Sequence, residues 1–143
     1  MSFQWPNGFT PVPHEAWVAT QLEELAQKYD TVEEHGWYDN LNPSVDDLLA
    51  QSGSNILVLD YSGGTGILAR RLLAKPNTER FGVLIVDSSP KFLRLALEKS
   101  KMDSRVGYRL IRFLKSERRL ETLTEVVDQT IWERGVDAVV STN

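Results

Sequence analysis

Two aspartates and three closely spaced glycines are the residues whose types and spacing could do chemistry. Asp60 ends an apolar run and leads into Ser62-Gly63-Gly64-Thr65-Gly66, and Asp87 follows 21 positions after Gly66. Glycine permits positive φ and lets a ligand approach the main chain closely. The start of a helix after such a turn presents unpaired N–H groups to a polar ligand. A carboxylate at the end of a neighbouring strand can accept hydrogen bonds from a diol such as that of a ribose. A ligand-free strand-to-helix turn, with Asp87 merely capping the next helix ahead of Ser88-Ser89-Pro90, would need fewer than three glycines in four positions. The combination therefore points to a site for a nucleotide-like cofactor.

Composition narrows the alternatives. The chain has 143 residues, enough for one domain with a real core, and its 41% hydrophobic and 25% charged content is that of an ordinary globular protein. It contains no cysteine, and its two histidines, His14 and His35, show no metal-ligand spacing, so no metal site is expected. No apolar run reaches the roughly 20 residues that span a bilayer. The opening MSFQWPNGFTPVP lacks the features of a signal peptide. A cytoplasmic location is the default expectation.

Charge is unevenly spread. Residues 1–60 hold ten acids and one base, Lys28, whereas residues 61–143 hold fifteen bases and ten acids. The simplest expectation is that the acidic N-terminal part packs against the basic remainder. The alternative, a basic face for an anionic partner, has no interleaved aromatic residues to support nucleic-acid binding.

The elements that must position these residues follow from periodicity. Residues 1–13 are proline-rich and aromatic and read as an arm. Trp17, Val18, Leu22, Leu25 and Ala26 predict a helix over 14–29, and Asn42-Pro43-Ser44 opens a short helix through Ala50. Strands are expected at 56–60, 81–87, 106–114 and 136–142, alternating with helices at 65–75, 90–100 and 120–133. Arg109 and Arg112 suggest one exposed face on the third strand. Apolar strands alternating with helices imply an α/β fold with an open, mostly parallel, doubly wound sheet covered on both faces. Two parts are expected, an N-terminal arm and helical cap over 1–42 and a Rossmann-like cofactor-binding domain over 43–143.

LVLDYSGGTG, LIVDSSPKFLRLA and DAVVSTN together resemble the class I S-adenosylmethionine-dependent methyltransferases. The family's first motif, an acidic residue followed by alternating glycines, stands here as Asp60-Tyr61-Ser62-Gly63-Gly64-Thr65-Gly66, with Ser62 in place of the first glycine. The resemblance implies S-adenosyl-L-methionine as cofactor. Gly63, Gly64 and Gly66 would admit its amino-acid end, Asp60 would orient its ammonium, and Asp87, followed by Ser88, would hold the ribose. Asn143 falls where the family lines the methionyl side. The residue that meets the adenine amino group is not placed within Phe113–Glu117. The resemblance covers roughly residues 40–143 and stops at the fourth of seven family strands, so the chain reads as the N-terminal part of such a domain. The fourth strand would then be an apolar edge, expected either to self-associate or to be covered by the aromatic arm.

Two other readings accompany this one. Gly64-Thr65-Gly66-Ile67-Leu68-Ala69 also satisfies G-x-G-x-x-A, and with Asp87 it fits an NAD(P)-binding oxidoreductase fragment. Asp60 disfavours that reading, because a carboxylate beside a pyrophosphate is repulsive whereas beside an ammonium it is attractive. The third reading is a non-catalytic interaction module that keeps the fold. The residues name no general base and no methyl acceptor. His14 and His35 read as surface histidines, and Tyr29, Trp37 and Tyr38 either pack on the core or form a lid.

Overall fold

The computed structural model describes residues 2–21 and 36–141. Strands β1 (Ile56–Tyr61), β2 (Phe81–Asp87), β3 (Val106–Leu110) and β6 (Ala138–Val140) form a parallel sheet in the order β3-β2-β1-β6. Between β3 and β6 lies a separate antiparallel ribbon of β4 (Phe113–Leu114) and β5 (Arg119–Leu120). Among the described residues the helices are α1 (Asn42–Leu49), α2 (Ile67–Leu73), α3 (Pro90–Ser100), α4 (Leu123–Val126) and α5 (Gln129–Arg134). Short 3-10 turns occupy Ala16–Ala19 and Gly36–Leu41.

The near-continuous apolar strands are buried on both faces, as the pattern requires. Ile56, Val58, Val83, Ile85, Val106 and Tyr108 form one core with α1, α2, α3 and Trp17. Leu57, Leu59, Leu84 and Val86 form the other with Phe3, Phe9, Val127 and Ile131. The β1–α2–β2 and β2–α3–β3 crossovers therefore cover one face, while the connection into β6 covers the opposite one. The winding reverses between β1 and β6. In open α/β sheets ligands bind at the carboxyl edge of such a reversal.

Several expectations shift. The third strand ends at Leu110, and residues 113–120 turn back as the β4–β5 ribbon. Arg109 does not mark an exposed face. It is buried, donates to Asp128 at 2.8 Å and to the Thr10 carbonyl at 2.7 Å, and lies over the Phe9 ring at 4.3 Å. A long cationic side chain on a strand is ambiguous in sequence, since its stem packs and its head needs only a partner.

The helix expected over 120–133 is two helices. Thr122 and Glu125 build a capping box for α4, Val127 turns extended, and Asp128 begins α5 while holding Arg109. Among the described residues, the helix expected over 14–29 begins as a 3-10 turn at Ala16–Ala19. Leu22, Leu25, Ala26, Tyr29 and His35 lie outside the described residues, as does the Trp37 side chain.

The N-terminal arm lies on the sheet, but not on the edge expected. Phe3 sits against Gly82, where a Cβ would overlap its ring, and Trp5 against Gly107, where a Cβ would lie 3.1 Å from the indole. The Pro11 carbonyl accepts from the Tyr108 N–H at 3.0 Å, so the arm also follows the free edge of β3. Val139 of β6 is exposed. Arg112 pairs with Glu15 and Arg71 with Asp39, as the charge division suggests. Arg94, Arg105, Arg119 and Arg134 also stand beside carboxylates, which argues against a free basic face.

Candidate functional site

The site assembles where β1 and β2 end. Asp60 lies opposite Ile85 of β2 and Val140 of β6, and Asp87 lies opposite Leu110 of β3. Side chains alternate along a strand, so Val58 and Asp60 of β1 face the same side as Ile85 and Asp87 of β2. Both carboxylates therefore look towards α2 and α3, across the turn that carries the glycines.

Each residue of the turn has a physical reason. Ser62 adopts φ +63°, a left-handed conformation that non-glycine residues rarely hold, and its N–H donates to the Val86 carbonyl at 2.7 Å. Serine thus holds under strain a backbone conformation that glycine adopts freely. Gly63 needs space: a Cβ would lie 2.7 Å from Asp60 Oδ2 and 2.8 Å from Ile85 Cγ2. Gly64 has φ +57°, and a Cβ there would meet nothing within 4 Å, so its Cα faces open space. Gly66, at φ +83°, caps α2 and sits tightly against Ile85 and Ala96. The Arg70 guanidinium reaches back to the Thr65 carbonyl and closes the turn.

Asp87 is a clamp as well as a candidate ligand. Its Oδ2 accepts from the Gly64 N–H at 2.8 Å and its Oδ1 from the Ser89 N–H at 2.9 Å. The Ser89 hydroxyl then caps α3 by accepting from the Phe92 N–H, and the Asp87 carbonyl accepts from the Ile111 N–H at 2.9 Å. A carboxylate has about four acceptor positions, so each oxygen keeps capacity for a ligand hydroxyl. The capping role and the ligand role expected from sequence are compatible.

Asp60 is different. It is fully buried, and neither carboxylate oxygen has a hydrogen-bond partner. Burial, reinforced by the nearby Asp87 charge, pushes its pKa up to about 7. An unpartnered buried carboxylate costs stability, and such groups occur mainly where a ligand or a reaction needs them.

The structure brings Asp60, Ser62, Gly63, Gly64, Gly66 and Asp87 together. Ser88 is exposed just beyond β2, and Asn143 lies outside the described residues. Ser89 fills the capping role expected of Ser88-Ser89-Pro90, whereas the contributions of Arg70 and Ile111 have no signal in the local sequence. An exposed apolar pair, Phe113 opposite Leu120, stands beyond the carboxyl end of β3. Among the described residues no cluster of metal-ligating side chains occurs, and no helix is long and apolar enough to cross a membrane.

The chain is structurally similar to several S-adenosylmethionine-dependent methyltransferases. The CurJ carbon methyltransferase is 19% identical, with a TM-score of 0.48 over 62% of this chain and 25% of that one. A phosphoethanolamine N-methyltransferase 2 of Haemonchus contortus, solved with S-adenosyl-L-methionine, is 24% identical, with a TM-score of 0.43 over 58% of this chain and 20% of that one. A methyltransferase of Aquifex aeolicus is 18% identical, with a TM-score of 0.41 over 61% of this chain and 46% of that one. This chain thus spans less than half of each of these structures. No family model and no curated protein matches it.

Proposed function

We propose that the chain is the S-adenosyl-L-methionine-binding part of a methyltransferase. The observation that carries this reading is Asp60, a buried carboxylate whose two oxygens find no donor in the protein. Beside it lie a turn too tight for a side chain at Gly63 and open space before Gly64. These residues fit a cofactor whose amino-acid end bears an ammonium: Gly63 and Gly64 admit it, Asp60 meets the ammonium, and Asp87 accepts from the ribose hydroxyls. When bound, the cofactor supplies a methyl group already activated on its sulfonium. The chain's own task is to hold and orient it, and the arriving ammonium favours the ionised form of Asp60, whose proton passes to solvent. The NAD(P) reading fits less well, because a pyrophosphate here would stand beside two carboxylates. Division into a 1–42 cap and a 43–143 cofactor domain accompanies the proposal, as does self-association through the exposed β6 edge.

Calorimetric titration with S-adenosylhomocysteine and with NAD, on the wild type and on Asp60→Asn, tests it. The expected result is binding of S-adenosylhomocysteine alone, weakened about 10-fold or more in Asp60→Asn, as loss of a charged hydrogen bond implies. Binding of NAD alone, or of neither ligand, would refute the reading for this chain.

A further inference from the structure

Beyond the carboxyl end of β3 the chain passes directly beside Asp87. Leu110 lies opposite Asp87 in register, and the Ile111 N–H donates to the Asp87 carbonyl at 2.9 Å. Phe113 follows two residues later and stands opposite Leu120 in the β4–β5 ribbon. Two residues span at most about 7 Å of chain, so Phe113 stays close to the Asp87 end of β2. Directly opposed side chains share one face of a ribbon, and the pairs on either side use the other. That other face is held by ion pairs, Arg112 to Glu15 and Arg119 to Glu125. The Phe113–Leu120 face has no such tie, and its two residues are 58% and 47% exposed. The ribbon's carboxylates are drawn to its own arginines and N–H groups. Glu117 stands 3.2 Å from Arg119, and Glu121 accepts from the Arg112 N–H at 2.9 Å. Glu125 accepts from the Thr122 N–H at 2.8 Å besides pairing with Arg119.

From this placement we infer that Phe113 and Leu120 form the platform for the cofactor's base, and that the base is held by its flat face rather than read through its exocyclic amino group. The inference rests on the cofactor reading above. A ribose gripped at Asp87 by its diol carries its base on the carbon next to that diol. The base therefore emerges beside the chain that leaves β3, where the apolar pair stands. Stacking on an aromatic ring tolerates a change of base, because every base has a π-face. Strong discrimination requires a polar group of the site committed to the distinguishing atom. The Phe113–Leu120 face carries no polar side chain, and the nearby carboxylates are turned to partners of their own. An apolar contact thus stands where the sequence pattern places no residue for the adenine amino group. The site should hold an adenosyl and an inosyl ligand about equally.

The experiment is a calorimetric titration with S-adenosylhomocysteine and with S-inosylhomocysteine, in which an oxygen replaces that amino group. On the wild type the two affinities should agree within about threefold. Phe113→Ala should weaken both about tenfold, with an unchanged melting temperature because the ring is exposed. Phe113→Tyr, which keeps the ring, should restore them. An inosyl ligand bound about tenfold or more weaker than the adenosyl one would overturn the inference, as would full affinity in Phe113→Ala. Either result would leave the cofactor reading intact. Failure of the wild type to bind S-adenosylhomocysteine at all would overturn both.

Discussion

The Asp87 carboxylate accepts the Gly64 N–H at 2.8 Å and so ties the end of β2 to the turn that leaves β1. Its second oxygen accepts the Ser89 N–H at 2.9 Å, which fixes the start of α3. One side chain thus sets the geometry on both sides of the candidate site. Asp87→Ala leaves two part-buried N–H groups without their acceptor. At about 1–3 kcal/mol for each such loss, we expect a destabilisation of roughly 2–4 kcal/mol in urea. Wild-type stability in this variant would show that the clamp is dispensable. The same variant is a poor reporter of ligand binding, because a loss of affinity would follow from loosening the turn as well as from loss of a ribose contact.

Asp60 gives a pH signature. Its pKa in the folded protein is about 7, against 3.8 for an unperturbed aspartate. Between these values the folded state keeps a proton that the unfolded state has released. Stability is therefore full at the acid end of the window and falls as pH rises towards and through 7. The total change is on the order of 4 kcal/mol. Asp60→Asn removes the titration, so its unfolding free energy should vary less between pH 5 and 8 and exceed that of wild type at pH 8. Denaturation curves at four pH values across this interval check it. Parallel profiles for the two proteins would mean that Asp60 does not titrate there. Affinity for an ammonium-bearing ligand should move the opposite way and strengthen as pH rises, since the ionised carboxylate is the form that attracts it.

Ser62 connects the sequence to the structure most directly. Its φ of +63° is one that glycine adopts without strain and other residues rarely hold. A left-handed non-glycine residue costs about 1 kcal/mol, partly offset by the greater freedom of glycine in the unfolded chain. Ser62→Gly should stabilise the protein by about 0.5–1 kcal/mol, read as a rise in melting temperature. A fall would mean that the serine side chain contributes something the strain argument omits.

The sheet and the glycine turn were legible because they rest on local pattern: unbroken apolar runs, glycine spacing and an aspartate at a strand end. Phe81–Asp87 and Pro90–Ser100 have the bounds that the pattern predicts. What was not legible depends on distant partners. Arg109 reads as an exposed residue until Asp128, Thr10 and Phe9 are brought to it from elsewhere in the chain. The break between α4 and α5 is equally hidden, because Asp128 is committed to Arg109 rather than to a continuous helix. That Asp60 would lack any donor could not be inferred from a motif that specifies only its position.

The arm supplies the last test. Phe3 is buried against Gly82, and the Phe3 N–H donates to the Glu79 carbonyl, so the aromatic ring takes the place of a side chain on β2. Proline-rich ends without such anchors are usually poorly ordered. Phe3→Ala should cost about 3 kcal/mol by leaving a cavity over the sheet. Gly82→Ala should act from the other side, because its Cβ would occupy space that the Phe3 ring holds. If the arm packs as one unit, either substitution should increase amide exchange through residues 3–11 together and expose the β3 edge at Tyr108. The double variant should then cost less than the sum of the two single ones, since both remove the same contact. Additive losses, with exchange unchanged beyond Phe3, would show instead that the arm is held residue by residue.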